Sequence, residues 1–360
     1  LSFTHYIILL RVYKKSSCRI YMGMERLLGF TDKSMDYAEA KAKLECQNGV
    51  IRSLENGRSY GVGEFEYLSL NELRLRVVAI SPEAIDLVEG TKSIVRHNRP
   101  VRENIQDYIA NPEYNHALFQ VASQFNLLEM NDPKRTPEDG VGIYWNDPTQ
   151  GPACAQSTIG ATLFRNYFIQ HQGHEGQSKN RQLNGLRVVL EHIGIHEGPA
   201  YRYENGYVRL SKEHLLKCSR HIMDLTKKQR DDLMGDLRVG IHWGCQVNNS
   251  EGPIDQYVSM IFCSGLPLGR YALHGVRRGD AETLAEFIQD GMQEATLLAG
   301  VLNQAKFHNN TVVLTKLGHG EFGNPTSWVV NARNRAIERS PLALDILQYH
   351  FNSREPEFNY

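Results

Sequence analysis

The sequence predicts an α/β fold in which a sheet lies between helices. Apolar runs typical of strands alternate along the chain with segments whose apolar residues recur at helical spacing, which is the pattern of an α/β sandwich. Hydrophobic residues make up 41% of the 360 positions, enough to fill the core of one large domain or two ordinary ones. Because no internal repeat, low-complexity stretch or clear linker interrupts this pattern, a single main domain is the favoured division.

We expect three parts along the chain. They are an appendage over residues 1–24, a single domain with an N-terminal helical extension over residues 25–350, and a tail over residues 351–360. The appendage contains an apolar run at residues 6–10 that is too short to span a bilayer. It lacks the basic region and the small-residue cleavage site of a secretory signal peptide, so such a peptide is only weakly indicated.

The first half of the chain predicts two helices, a buried strand and a long loop. Apolar residues at helical spacing and a glycine stop predict a helix over residues 34–47. Residues 69–72 have the pattern of a capping box at the start of a second helix. A short apolar run predicts a strand over residues 117–122. Residues 129–152 predict a loop, and loops of this length inside a compact domain are commonly functional.

The second half of the chain alternates between helices and strands. Two strands flank a turn rich in Asn, Gly and Pro, and the longest helix carries an apolar stripe at helical spacing. The last strand ends in glycines and is followed by Asn and Pro, a combination that starts helices. The expected elements are helices over residues 157–169, from Ser211 and from Asp280, and strands over residues 238–243, 257–264 and 311–317.

The charge balance argues against two classes of partner. Forty Lys and Arg residues face forty-one Asp and Glu residues, which gives a net charge of −1. A protein that coats nucleic acid or lies on a membrane surface normally carries a strong basic excess. We therefore expect neither a nucleic acid nor a membrane as partner.

Cysteine and histidine spacing indicates neither a disulfide framework nor a zinc site. No two of the six cysteines form a C-x-x-C pair, and Ile193 lies between His192 and His196 where a zinc protease needs its glutamate. Cys154 has alanine on both sides, which favours packing over catalysis. We expect a reducing, cytoplasmic location and no metal or cofactor.

A glycine-rich loop follows the most convincing strand. The apolar residues 311–317 are followed by three glycines within the span 318–324 and then by a helix start at Asn324 and Pro325. Glycines let a backbone approach a ligand closely, and the helix start offers free N–H groups and a favourable dipole to a diphosphate. A tight strand-to-helix turn is the alternative. The loop is not a Walker loop, because no Gly-Lys-Ser/Thr follows.

Five carboxylates lie in the long loop, and two of them are candidates for catalysis. Breaking a glycosidic bond builds positive charge on the sugar, and a nearby carboxylate stabilises that charge, orients the leaving group or activates water. Asp147 lies in a turn-forming stretch beside Thr149, Gln150 and Gly151, and it also suits turn initiation. Asp139 fits a catalytic carboxylate and a helix-capping residue equally well. The five carboxylates are Glu129, Asp132, Glu138, Asp139 and Asp147.

Amide side chains follow the strand over residues 117–122. Gln124 and Asn126 come directly after it, and ligands of α/β sheets gather beyond the carboxyl ends of strands. These amides are suited to contact a ribose or a base edge, and they are equally suited to stabilise the loop. His242 lies within an apolar strand and is expected to be a core residue.

Several of these stretches resemble the arginine-specific macrodomain (ADP-ribosyl)hydrolases. The resemblance extends in order over about residues 60–340, which makes it more specific than any one motif. The three main matches are FQVASQFNLLEM at residues 119–130, TPEDGV at residues 136–141 and DPTQGPACA at residues 147–155. Shorter matches are residues 176–178, 181–182, 241–243, 262–267, 294–297 and 317–324.

The resemblance implies a macrodomain-like three-layer αβα sandwich with a mixed central sheet that holds ADP-ribose in a cleft. It implies hydrolysis of the N-glycosidic bond between ADP-ribose and arginine in mono-ADP-ribosylated proteins. Asp139 and Asp147 match acidic positions near the distal ribose and the arginine. The ADP-ribose-binding positions that it implies are Gln124, Asn126, Thr149, Gln150, Gly151, Gly318, Gly320, Phe322, Gly323 and Asn324.

The chain departs from the pattern of that family at two places. His319 and Glu321 occupy loop positions where Gly and Ala are usual, and Gly244 and Cys245 follow Trp243 where an acidic residue and Thr are usual. These departures favour a second hypothesis, a macrodomain that binds ADP-ribose without hydrolysing it. A nucleotide-dependent transferase is a third and weaker hypothesis, because the Walker lysine is absent.

Overall fold

The computed structural model describes residues 23–80, 93–98 and 104–351. The first seven described strands are β1 (Leu44–Gln47), β2 (Val50–Ser53), β3 (Ser59–Gly61), β4 (Glu64–Ser69), β5 (Ile94–His97), β6 (Leu118–Ala122) and β7 (Gln170–His171). The remaining described strands are β8 (His174–Glu175), β9 (Tyr201–Glu204), β10 (Tyr207–Leu210), β11 (Arg238–Asn249), β12 (Gly252–Cys263), β13 (Thr311–Leu314) and β14 (Asp345–Gln348).

The described α-helices flank these strands. They are α1 (Met24–Leu28), α2 (Tyr37–Ala42), α3 (Leu70–Val78), α4 (Ile105–Ile109), α5 (Gln150–Ser157), α6 (Ile159–Leu163), α7 (Arg187–His192), α8 (Lys212–Asp224), α9 (Lys227–Met234), α10 (Arg278–Phe307) and α11 (Thr326–Arg339). Shorter turns are 3-10 helices at Pro112–Tyr114, Pro137–Asp139, Gly142–Asn146 and Gly269–Tyr271 and a π-helix at Phe164–Phe168. Among the helices of the described ranges, none is both long enough and apolar enough to cross a membrane.

A seven-stranded mixed sheet forms the centre of the structure. Its strand order is β4–β11–β12–β6–β13–β14–β5. The pairs β4–β11 and β11–β12 are antiparallel, whereas β12, β6, β13, β14 and β5 run parallel to one another. The fold class predicted from the sequence, an αβα sandwich with a mixed central sheet, is confirmed.

Both faces of the sheet are buried, and β6 shows the alternation. Leu118 packs into the core on the α10 face, where the buried Gln120 Nε2 donates to Thr296 Oγ1 at 2.8 Å. Phe119 and Val121 point the other way and pack with residues of α5 and α6. Because side chains alternate along a strand, one short strand joins the two cores.

The long strands and the longest helix largely match the sequence. The strands predicted at residues 238–243 and 257–264 are parts of the hairpin β11–β12. The helix predicted from Asp280 begins at Arg278, because Arg277 is the N-cap residue and donates its backbone N–H to Asp280 at 2.9 Å. The predicted stripe is buried at Leu284, Phe287, Ile288, Met292, Ala295 and Leu298.

The prediction of one helix over residues 34–47 is wrong except at residues 37–42. The structure has the short helix α2, capped by Asp36, and then the hairpin β1–β2. Asn48 and Gly49 form the turn of this hairpin with φ values of 52° and 73°. Asn-Gly favours such left-handed turns, and here that local preference prevails over the helical spacing of the apolar residues.

The predicted boundary between the long loop and the next helix is also wrong. Helix α5 begins at Gln150, and the expected single helix over residues 157–169 is broken at Thr158, whose φ and ψ are −135° and 60°. The backbone N–H of Ile159 donates instead to the Asn248 side chain at 2.8 Å. A contact with a residue so distant in sequence replaces the helical hydrogen bond.

The segment before β4 packs against the rest of the fold. Met24, Leu27 and Leu28 of α1 belong to one apolar cluster with Met130 and Tyr144. The predicted appendage and tail fall largely on residues 1–22 and 352–360, which lie outside the described residues.

Candidate functional site

The carboxyl ends of the parallel strands place the candidate segments at one edge of the sheet. β6 continues into residues 123–130, β12 into residues 264–269, and β13 into residues 315–324. The last two of these segments touch, because a Cβ added at Gly265 would lie 3.1 Å from the Cα of Gly318. Ligands of α/β folds bind at such an edge.

The segment after β6 has a strained backbone. Leu127 has a φ of 65°, which a bulky side chain rarely adopts. Its carbonyl accepts a hydrogen bond from Arg165 Nε at 2.8 Å, and its N–H donates to the Gln124 carbonyl at 2.9 Å. Such strain persists only when the surroundings impose it, and it is concentrated at functional sites.

Gln124 and Asn126 have different environments. Asn126 is fully buried: its Oδ1 accepts from the N–H of Leu128 at 3.1 Å and its Nδ2 donates to Gln182 at 2.8 Å. Gln124 Nε2 lies 3.4 Å from the Tyr207 hydroxyl, and its buried Oε1 has no hydrogen-bond partner among the described residues. Of the two amides, Gln124 is therefore the one with an unsatisfied acceptor, although that atom is closed to solvent.

Asp147 lies at the start of α5. Its Oδ1 accepts hydrogen bonds from the backbone N–H of Thr149 at 2.9 Å and from the Thr149 hydroxyl at 2.6 Å. The side chain is only partly buried. Asp147 is thus fixed in orientation by the turn that it initiates, as the sequence allows, and its role in catalysis stays a prediction.

Asp139 caps the 3-10 helix Pro137–Asp139. Its Oδ2 accepts from the backbone N–H of Thr136 at 2.7 Å, and its Oδ1 lies 3.0 Å from Arg135 Nη1. This is the capping geometry that the sequence offered as one of two interpretations. The carboxylate nevertheless remains partly exposed, so a catalytic role for it also stays a prediction.

Gln150 and Gly151 attach α5 to the end of β6. Gln150 Oε1 accepts from the N–H of Ala122 at 2.9 Å, and Gln150 Nε2 donates to the Gln120 carbonyl at 2.9 Å. A Cβ at Gly151 would lie 1.9 Å from the Ala122 carbonyl oxygen, so only glycine fits. These residues position Asp147 relative to the sheet, and direct contact with ADP-ribose is a separate prediction for them.

The glycine loop, residues 318–324, folds back on itself. The N–H of Asn324 donates to the Gly318 carbonyl at 2.9 Å, and the N–H of Gly323 donates to the Gly320 carbonyl at 3.1 Å. Gly318 and Gly323 have φ values of 69° and 67°, whereas Gly320 has ordinary backbone geometry with open space where a Cβ would be. Glycine is therefore required by the backbone at two positions, whereas Gly320 is exposed and a side chain there would meet no other residue.

The charge of Glu321 is compensated. Its carboxylate forms an ion pair with Arg270, and Arg270 also donates to the Tyr271 hydroxyl at 2.8 Å. The negative charge that departs from the expected loop pattern therefore lies beside a guanidinium. His319 is the other departure in this loop. Its Nδ1 lies 3.2 Å from the Asn324 carbonyl oxygen and 3.2 Å from the Thr326 hydroxyl oxygen.

Asn324 does not cap α11 as predicted, because α11 begins at Thr326 and Pro325 occupies the N-cap position. The buried side chain of Asn324 instead donates to the Leu266 carbonyl at 2.9 Å. Asn324 thereby links the glycine loop to the segment after β12.

Three aromatic side chains, which we term the aromatic cluster, join the glycine loop to residues 129–149, which carry the five carboxylates and which we term the acidic loop. The aromatic cluster is Tyr207, Tyr271 and Phe322. Phe322 lies 5.5 Å from the ring of Tyr207 and 5.7 Å from that of Tyr271. Phe322 and Trp145, two residues before Asp147, pack against the same apolar core. The Tyr207 hydroxyl donates to the Met130 carbonyl at 2.6 Å.

The electrostatics of Tyr207 show the same convergence. Burial raises the pKa of its phenol well above the usual value, and the nearby groups Tyr271, Asp132 and Asp147 raise that pKa further. Asp147 thus lies within electrostatic reach of a ring that contacts Phe322. The two segments that the sequence paired, although about 170 residues apart, thus both lie around Tyr207.

Two concavities open beside the acidic loop. One, of about 440 Å³, is lined by Asn131, Asp132, Lys134 and Arg135. The other, of about 350 Å³, is lined by Lys33, Ser34, Met35, Asp36, Arg135, Glu138, Asp139 and Ile143. Asp147 and the glycine loop line neither of them, so neither is the cleft that we expected between those two segments.

Glu129, one of the five carboxylates of the long loop, lies beneath the site and not on its surface. It forms a fully buried ion pair with Arg165 at 3.1 Å. Burial raises the pKa of Glu129 from 4.5 to about 7, and the charge of Arg165 opposes that rise. Because no solvent reaches it, Glu129 supports the loop rather than a substrate.

Cys154 and His242 are core residues, as expected. Burial raises the pKa of the Cys154 thiol well above its usual value, which disfavours the nucleophilic thiolate. Burial, reinforced by Arg165, lowers the pKa of His242 well below its usual value, and Nδ1 lies 2.9 Å from the Val62 carbonyl. In the described ranges, no three His, Cys, Asp or Glu side chains are grouped as they are around a metal ion.

The departure at Gly244 lies at the opposite end of the sheet. In the β11–β12 pair, Cys245 lies opposite Val258. The next residue of β12, Ser259, lies opposite Leu118, the first residue of β6. Gly244, with a φ of 62°, allows a bulge in β11. Since the candidate site lies beyond the last residue of β6, this departure does not alter its lining.

Sequence reasoning missed Tyr207, Tyr271 and Arg270 as site residues. Each contacts the glycine loop from an element distant in sequence. No motif or periodicity marks them.

Comparison with known proteins gave solved structures only. No protein-family model matches the sequence, and no curated protein matches it. A poly(ADP-ribose) glycohydrolase from Thermomonospora curvata is 13% identical, with a TM-score of 0.40, over 89% of this chain and 94% of that chain. The Deinococcus radiodurans enzyme of the same name, in complex with ADP-ribose, is 10% identical, with a TM-score of 0.42, over 81% of this chain and 89% of that chain.

These comparisons correct the family predicted from the sequence. The expected arginine-specific macrodomain (ADP-ribosyl)hydrolases are not among the findings, and the similar solved structures are poly(ADP-ribose) glycohydrolases. The motif resemblance was therefore wrong as an assignment of family. At this identity and TM-score no residue role is carried over from those enzymes, and the site is interpreted from its own contacts.

Proposed function

We propose that this chain hydrolyses a glycosidic bond of ADP-ribose, and that the bond is the N-glycosidic link to an arginine side chain. The observation that supports this proposal is the aromatic cluster, which contacts the glycine loop through Phe322 and the acidic loop through the hydrogen bond from the Tyr207 hydroxyl to the Met130 carbonyl. A diphosphate and a cationic sugar transition state need these two environments, amides and carboxylates, a few ångströms apart.

The glycine loop is proposed to hold the diphosphate. Gly320 leaves space for close approach, and α11 follows directly with its free N-terminal N–H groups and its dipole. The pairing of Glu321 with Arg270 limits repulsion of the phosphates. We propose that Gln124 Oε1, which is buried and unpaired among the described residues, turns toward a ribose hydroxyl when ADP-ribose binds.

The acidic loop is proposed to act on the sugar and the leaving group. As the bond to the guanidinium breaks, positive charge grows on the anomeric carbon, and the carboxylate of Asp147 stabilises that charge. Asp139 orients the guanidinium, and one of the two carboxylates assists the attacking water. The products are ADP-ribose and a restored arginine.

The second concavity supports a cationic leaving group, because three carboxylates line it against two basic side chains. The carboxylates are those of Asp36, Glu138 and Asp139, and the basic side chains are Lys33 and Arg135. Carboxylates bind a guanidinium by paired hydrogen bonds, whereas a neutral ribose offers no such charge. A cytoplasmic location is part of the proposal, since cytosolic conditions keep thiols reduced and the five described cysteines are free.

A binding module without turnover is the second candidate. The observation that favours it is the engagement of both aspartates in local caps: Asp147 Oδ1 holds Thr149, and Asp139 holds Thr136 and Arg135. A carboxylate used in this way is less available to activate water.

One experiment separates these candidates. The full chain is incubated with an arginine-ADP-ribosylated peptide and, separately, with poly(ADP-ribose), and the release of ADP-ribose is followed. We expect release from the peptide, lowered about 100-fold or more in Asp147→Asn. Asp255→Asn changes an exposed aspartate at the far end of the sheet and serves as the control.

Each outcome has a defined meaning. Release from poly(ADP-ribose) but not from the peptide would contradict the arginine linkage and would still support hydrolysis of a glycosidic bond of ADP-ribose. Binding of ADP-ribose by calorimetry without release from either substrate would select the binding module. Release that is equal in the parent and Asp147→Asn would remove Asp147 from the mechanism.

A further inference from the structure

Asp32 is a buried carboxylate in the segment between α1 and α2. Only 1% of the residue is exposed. Its Oδ2 accepts from the backbone N–H of Val141 and from the Tyr167 hydroxyl, both at 2.8 Å, and its Oδ1 accepts from the backbone N–H of Gly142 at 2.7 Å. A buried carboxylate is costly unless donors satisfy it, and three donors converge on this one.

Two glycines of the acidic loop make room for this carboxylate. A Cβ at Gly140 would lie 2.4 Å from Asp32 Cγ, and a Cβ at Gly142 would lie 2.7 Å from Asp32 Oδ1. Gly140 also has a φ of 77°. Successive N–H groups in such a turn form a concave anion site, and here a side chain of the same chain occupies it.

The segment that Asp32 holds lies between the two candidate catalytic residues. Val141 follows Asp139 by two positions, and Gly142 begins the 3-10 helix Gly142–Asn146, after which Asp147 comes directly. Asp32 therefore fixes the amino end of that helix. The middle of the helix is held through Tyr144, whose hydroxyl accepts from the N–H of Glu129 at 3.2 Å.

We propose that Asp32 is a positioning residue that sets the placement of Asp139 and Asp147 by serving as the internal anion of the acidic loop. Its kinetic consequence rests on the proposed function; its structural consequence does not. The N-terminal segment is thus part of the functional unit.

The structural consequence is tested by amide hydrogen exchange on the full-length chain. Asp32→Asn keeps one acceptor oxygen and removes the other. We expect the amides of Val141 and Gly142 to exchange about tenfold faster or more, since one hydrogen bond to a charged group is lost. Exchange within α10 should not change. Asp36→Asn, which alters an exposed cap of α2 in the same segment, is the control.

The kinetic consequence is tested by release of ADP-ribose. In Asp32→Asn we expect kcat to fall about 10- to 100-fold while KM and the affinity for ADP-ribose change by less than about threefold. A positioning residue acts through the groups that it places. In an Asp147→Asn background, Asp32→Asn should therefore cause little further loss.

Three results would overturn the inference. They are unchanged exchange at Val141 and Gly142, an unchanged kcat, or an equal loss in both backgrounds. If Asp32→Asn does not fold, Tyr167→Phe removes one donor and keeps the carboxylate, and the same readouts apply with smaller changes. If the parent releases no ADP-ribose, the proposed function fails, and exchange alone decides whether Asp32 holds the loop.

Discussion

Arg165 and Glu129 form an ion pair from which solvent is excluded. Arg165 Nη2 lies 3.1 and 3.3 Å from the two carboxylate oxygens, and both side chains are 0% exposed. The guanidinium also lies 3.7 Å above the ring of Phe262. The pair joins the π-helix Phe164–Phe168 to the segment after β6, directly under the start of α5.

Removing one partner of this pair should destabilise the fold strongly. Glu129→Ala leaves the buried guanidinium without its hydrogen-bond acceptors and opens a cavity beside it, so we expect the free energy of unfolding to fall by about 3–5 kcal/mol. The control is Glu191→Ala, which breaks the exposed pair with Arg187 and should cost less than about 1 kcal/mol. Urea unfolding measures both. Equal losses would show that the buried pair has no special role.

The raised pKa of Glu129 predicts a pH dependence of stability. The folded state binds the proton more tightly than the unfolded state, because burial raises the pKa from 4.5 to about 7. The free energy of unfolding should therefore fall as pH rises from about 4.5 to 7, and level off above that range. Burial also raises the pKa of Asp32, so part of this slope should persist in Glu129→Gln. Urea unfolding at several pH values tests this; a slope equal to that of the parent would contradict it.

The glycine loop offers a pair of substitutions that separates strain from ligand contact. Gly318→Ala should destabilise the protein by about 1–2 kcal/mol, because alanine disfavours the left-handed backbone there. Gly320→Ala should leave stability unchanged, since its Cβ meets open space. If the diphosphate approaches this loop, Gly320→Ala should still weaken ADP-ribose binding about tenfold or more. An unchanged Kd in Gly320→Ala would place the diphosphate elsewhere.

The pair Arg270–Glu321 predicts opposite effects on affinity. Arg270→Ala leaves the charge of Glu321 unbalanced beside the loop and should weaken ADP-ribose binding roughly two- to fivefold. Glu321→Gln should leave affinity equal or higher. Both effects should shrink as salt rises, because the pair is exposed. Calorimetry at two ionic strengths is the measurement, and tighter binding by Arg270→Ala would refute the assigned position of the diphosphate.

Much of the fold was accessible from sequence because local patterns determine it. The apolar runs gave β6 and the hairpin β11–β12, and the helical stripe gave α10. The break at Thr158 was inaccessible, because it depends on Asn248 in another element. The hairpin β1–β2 had a local signal in Asn48 and Gly49, which the helical periodicity obscured.

The candidate site was only partly accessible, for the same physical reason. Asp147 and the glycine loop lie in segments whose residue types suggest chemistry. The residues that join or hold them, such as Tyr207 and Asp32, act through contacts between distant parts of the chain. Asp32 lies 109 positions from Val141, and no local pattern reports such a contact.

A crystal structure of the full chain with ADP-ribose tests the central claim most directly. The account predicts the diphosphate against the backbone of residues 318–324 and the distal ribose beside Asp147, with the aromatic cluster between the two loops. An ADP-ribose confined to the concavity lined by Asn131 and Lys134, away from the glycine loop, would contradict it.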